Sequence, residues 1–174
     1  MTEAPRCIGR LASEVIKEVH PSPVKALDAL GSPVTIPDGD DTYWVTDQIP
    51  ARGTEWDSAG SEALILTVTK LDTGEAVYPD YQDLSFDASK AMFIIYVTDS
   101  TKVEHGDSSE IITTSIYDPK DGDPSTPEKG KVVNRGDVVT LSGDPGTMLK
   151  STLLFSTGFV VGLGAGYLIG KSTG

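Results

Sequence analysis

Between Lys150 and Lys171 the chain runs for twenty residues, Ser151 to Gly170, without a single charge. At about 1.5 Å per residue such a run is roughly 30 Å long as a helix, the thickness of a bilayer's hydrocarbon core. Its apolar members are Leu153, Leu154, Phe155, Phe159, Val160, Val161, Leu163, Leu168 and Ile169. At about 0.3–0.6 kcal/mol each they favour insertion by roughly 3–5 kcal/mol. Gly164 and the other glycines, with Ser151, Thr152, Ser156 and Thr157, erode that gain, so contact with another helix would help. Gly158, Gly162, Gly166 and Gly170 recur every fourth residue and fall on one stripe, the small-residue surface through which membrane helices approach closely. Tyr167 suits the interface, and Lys150 and Lys171 can reach the headgroups from either end. The expectation is a transmembrane helix over 151–170 with a short tail at 171–174. A buried core helix, or a glycine-rich helix inside a dry protein assembly, is the competing reading.

The stretch Ala165-Gly166-Tyr167-Leu168-Ile169-Gly170-Lys171-Ser172 matches a relaxed phosphate-loop pattern, with Ala in place of the first Gly. A phosphate loop needs a helix after it so that the helix N-terminus can face the phosphates. Only Thr173 and Gly174 follow Ser172, so the match reads as accidental.

The part before this segment is strongly acidic. Lys150 and Lys171 are two of the fourteen basic residues, which leaves twelve against 26 acidic ones, a formal charge of −14 over residues 1–149. Such a surface repels nucleic acid and anionic headgroups, so no nucleic-acid partner is expected and the domain should stand off the membrane or bind basic partners. The abundance of Asp over Glu, with many threonines, suits a saline milieu, although ten lysines against four arginines departs from the usual halophile pattern. Cys7 is the single cysteine, so no disulfide can form within the chain, and a lone Cys beside a helix start reads as an unreactive small residue. Met1-Thr2-Glu3-Ala4-Pro5 lacks the apolar run of a secretory signal, which points to synthesis in the cytoplasm with the anchor emerging last.

Along the chain, Leu11, Val15 and Val19 are spaced for a short amphipathic helix over Arg10 to His20, ended by Pro21 and Pro23. Val24 to Leu30 could add one further turn before Gly31. From residue 33 the pattern is of strands separated by turns: Pro33–Ile36, Thr42–Thr46, Ala63–Leu71, Val77–Phe86, Met92–Thr98, Glu110–Tyr117 and Lys131–Leu141. Leu64, Leu66 and Val68 alternate with partly polar neighbours, as on a half-buried strand. Met92 to Val97 is apolar on both faces and reads as a central, doubly covered strand. The expected fold is mainly β, an antiparallel β-sandwich of jelly-roll or immunoglobulin-like type, with a short N-terminal helix and a C-terminal transmembrane helix. The divisions are an N-terminal helical segment at 1–31, the sandwich at 32–142 and a hinge at 143–150 containing Gly143-Asp144-Pro145-Gly146.

Chemistry-bearing residues do not cluster. His20 and His105 stand alone, and no His or Cys pair has metal-ligand spacing. Asp118, Asp121 and Asp123, around Gly122, could offer hard oxygen ligands to calcium, but no full twelve-residue calcium loop follows and Lys120 sits among them. A solvated turn explains the same residues, and Asp38, Asp40 and Asp41 make a weaker case. Ser108 and Ser109 lack a nucleophile-elbow context. Trp44, Trp56, Tyr43, Tyr78 and Tyr81 could form a recognition patch or fill a core; for Trp56 interface burial and local packing weigh equally. No enzyme and no cofactor is expected.

A β-sandwich carried on such a helix resembles the membrane-anchored minor capsid proteins of icosahedral viruses with an internal membrane, including those that infect halophiles. The resemblance implies a structural virion protein whose sandwich touches other capsid proteins in a larger oligomeric assembly, while the helix fixes the shell to the membrane. A cellular tail-anchored binding or adaptor module with an acidic sandwich fits the same anchor.

Overall fold

The computed structural model describes residues 2–59, 62–98, 101–105 and 111–143. Near the N-terminus β1 (Thr2–Glu3) pairs antiparallel with β4 (Glu55–Trp56). Helix α1 (Ala12–Val19) forms where the spacing of Leu11, Val15 and Val19 requires, and stops at His20 before Pro21. Strand β5 (Leu64–Lys70) lies between β2 (Val24–Leu27), parallel to it, and β3 (Tyr43–Ile49), antiparallel. Leu64, Leu66 and Val68 point inward along β5 and meet Ala12 and Val15 of α1 with Cys7, Val45 and Trp56 in a first core.

A second core joins β6 (Glu75–Val77), α2 (Phe86–Tyr96), β8 (Ile112–Asp118), β9 (Val132–Asn134) and β10 (Val138–Gly143). β6 pairs with β9; β10 is the middle strand of a second three-stranded sheet, between β8, antiparallel, and β7 (Thr101–His105), parallel. Strand β3 belongs to both cores. Val45 enters the first, whereas its neighbour Trp44 enters the second and meets the Tyr96 ring edge-on at 6.0 Å. Alternation along one strand thus couples the two halves. The two helices are bonded directly as well, Tyr96 Oη donating to Glu14 Oε2 at 2.7 Å.

The described part is mainly strands in several small sheets with two helices, and it corrects the sequence reading in six places. Met92–Thr98 is not a central strand: Met92 to Tyr96 is the C-terminal part of α2, whose buried Phe86, Ser89, Met92, Phe93 and Tyr96 follow a helical period. Val24–Leu27 is a strand rather than a helical turn. Val77–Phe86 is a strand only to Val77; from Pro79 the chain is committed to the loop described below. Lys131–Leu141 is two strands, broken at Gly136, whose φ of +95° reverses the chain. Pro33–Ile36 contributes only an isolated bridge, Pro33 with Leu27. Nor is the pairing purely antiparallel: β2–β5 and β7–β10 are parallel, because in each case the chain crosses over through an intervening strand before returning.

Among the described residues no helix is long and apolar enough to cross a membrane. The expected helix 151–170, the hinge from 144 onward, and Lys150, Gly158, Gly162, Gly166, Tyr167, Gly170 and Lys171 lie outside the described residues.

Candidate functional site: a buried aspartate held by three cations

The densest polar cluster forms where β6 hands over to α2. Pro79 lies against Gly9, whose φ of +85° and missing side chain permit the approach; a Cβ there would collide with Pro79. This brings Asp80 under the N-terminal segment, with its carboxylate only 2% exposed. Arg52 Nε donates to Asp80 Oδ2 at 2.7 Å, and Arg52 Nη2 donates to Asp83 Oδ2 at 2.7 Å. Lys129 Nζ reaches Asp80 Oδ2 at 3.4 Å, and Arg6 Nη1 stands 3.4 Å from Oδ1. Arg6 also donates to the backbone carbonyls of Asp80 and Gln82, the latter at 2.8 Å. Asp83 holds a φ of +61°, a left-handed conformation uncommon outside glycine, and the Arg52 fork grips it there.

Three cations therefore meet two carboxylates in a protein that is acidic overall. Burial, then the neighbouring Arg52 charge, pushes the Arg6 guanidinium down to about 10. The cluster draws three distant stretches of chain onto one carboxylate, at sequence separations of 74, 28 and 49 residues from Asp80. No spacing in the sequence announces it; the only local sign is an aspartate following proline next to an apolar run. Chemically it neutralises charge and fixes loops. It presents no hydroxyl or thiol to activate, and the nearest thiol, Cys7, is pushed up by burial to about 12.

Other polar side chains also serve the scaffold. Arg10, buried against α1, gives Nη2 to Glu18 Oε2 at 2.6 Å and Nη1 to the Arg6 carbonyl at 3.2 Å. Tyr78 Oη and Ser115 Oγ share a buried hydrogen bond of 2.7 Å. An open groove of about 420 Å³ runs beside α1, lined by Ser13, Ile16, Lys17, His20, Ile36, Pro37 and Asp38. The Ser13 hydroxyl is engaged there, donating to the Asp40 carbonyl at 2.7 Å.

The acidic turns are not gathered into an ion site. Asp118, Asp121 and Asp123 are exposed, and among the described residues no group of three or more His, Cys, Asp or Glu side chains could hold a metal ion. The Lys120 N–H instead donates to Asp137 Oδ1 at 3.3 Å, and Asp137 Oδ2 accepts the Tyr117 hydroxyl at 2.5 Å. Asp40 accepts both the N–H and the hydroxyl of Thr42 at 2.7 Å, and those bonds lower its pKa. Asp28 accepts from the N–H groups of Leu30 and Ser32 in the same manner. These aspartates build turns. The aromatic residues are mostly core: Trp44, Trp56 and Tyr78 are buried, and the Trp56 ring N–H donates to the Glu62 carbonyl at 3.1 Å. His20 is exposed at the end of α1.

No family model, curated protein or solved structure matches this chain.

Proposed function

We propose that this chain is a structural protein of a membrane-containing virion, in which the strand-rich domain, as a shell-side sandwich, is tethered to the membrane by residues 151–170. The observation that carries the reading is the uncharged, glycine-striped run Ser151–Gly170 between two lysines. The domain supports it in two ways. Its polar clusters are spent on holding loops, with Asp80 at the centre of the largest. Its strong negative charge favours contact with basic shell proteins over contact with anionic lipid or nucleic acid. In this reading it is neither an enzyme nor a cofactor carrier.

Membrane partition is the test. The full chain should sediment with membranes and resist carbonate extraction, and removing residues 151–170 should release it. Recovery of the full chain in the aqueous fraction without detergent would end the tether reading. Co-purification with capsid proteins separates the virion role from that of a cellular adaptor.

A further inference from the structure

The β2–β5–β3 sheet turns one face toward the first core and the other away from it. On the outward face Lys25 and Ile49 flank Ile65, and Leu27 and Asp47 flank Thr67, in two successive rows. Toward Trp44 the second core takes over this side of the sheet, but Leu27, Ile49 and Ile65 belong to neither core. Ile49 is 61% exposed. Ile65, with a strand on each side of it, remains part-exposed. Two isoleucines directly across an antiparallel pair are the arrangement a sheet normally buries.

We propose that this face docks a second copy of the same chain, sheet against sheet. Charge selects the occupant. Lys25 and Asp47 stand on the two outer strands of the patch, one at each side of the aliphatic residues. For a basic foreign protein this balanced pair offers no net attraction. For a copy related by a two-fold axis lying in the face and inclined to the strands, each Lys25 comes over the other copy's Asp47, and Leu27, Ile49 and Ile65 meet between them. Asp47 accepts the Gln48 N–H at 2.9 Å, which holds its carboxylate at the edge of the patch. Elsewhere two strongly acidic surfaces repel, so the two opposite-charge contacts set the register.

The experiment measures the mass of the full chain in detergent micelles by sedimentation, carrying Gly162→Leu throughout so that the glycine stripe cannot hold copies together. A concentration-dependent dimer is expected. Lys25→Glu and Asp47→Lys should each weaken it roughly tenfold or more, and the double change should restore it to within about threefold. Ile49→Asp should abolish it, with circular dichroism melting confirming that each variant folds. Single-chain mass at every concentration overturns the proposal. So does a double variant no tighter than the singles, or a dimer that folded Ile49→Asp leaves intact. If Ile49→Asp does not fold, the exposed charge pair decides alone.

Discussion

At the scale of single residues the structure explains why polar groups in an acidic chain end up inside. Cys7 is fully buried, its N–H donating to Gln48 Oε1 at 2.8 Å, and burial pushes the thiol from 9.0 to about 12. Above pH 9 the unfolded chain sheds this proton while the folded chain keeps it. The unfolded state is then favoured, and stability is lost as pH rises through 9 toward 12. The melting temperature of Cys7→Ala should therefore fall less steeply over this window than that of the parent chain. At pH 8 the folded parent should resist a thiol reagent that labels it promptly in denaturant. The inert character of this cysteine was legible in the sequence. The roles of Arg6, Arg52 and Asp80 were not, because a buried ion cluster assembled from distant stretches leaves no local pattern.

At the scale of elements, reading depended on whether the window matched the period. Helix α1 and strand β5 were legible because each keeps one period with one buried face. Helix α2 was not, since its most apolar part, Met92 to Tyr96, spans little more than one turn and looks alike on both faces. The useful signal lay upstream. Ser85 is the N-cap, accepting the Ala88 N–H at 3.3 Å, and Asp87 stands in the first turn. Parallel β2 was lost for another reason: four residues after Pro23 carry no period to read. The turns between elements make demands of their own. Gly130 has a φ of +85°, and a Cβ there would collide with the Thr46 carbonyl, whereas Gly74 has a φ of +100° with open space around it. Gly74→Ala should cost about 1 kcal/mol from the backbone alone, and Gly130→Ala roughly 2–4 kcal/mol, compared by denaturant midpoints.

At the scale of the whole molecule, two cores share strand β3 and are fastened at Asp80. Asp80→Asn keeps the shape but leaves Arg6, Arg52 and Lys129 with a neutral partner, and should cost about 3–5 kcal/mol in urea unfolding. Asp83→Asn, at a side chain 73% exposed, should cost less than about 1 kcal/mol. Equal losses at the two positions would show that the buried carboxylate is not the fastening point. The sequence conveyed the β-rich class of this assembly; the mixed pairing it did not, because strand order is set by crossovers that no single segment records. Strand order also decides how the domain bears a pull. Strand β10, the described strand nearest residue 151, is hydrogen-bonded to β7 on one side and β8 on the other. A pull directed along β10 would load both ladders lengthwise, so their bonds would share the force and yield together. Were β10 an edge strand, a single ladder would carry the whole load. On the proposed tether, a pull reaching β10 would thus be resisted at the centre of a sheet, and the domain would yield by abrupt rupture rather than gradual creep.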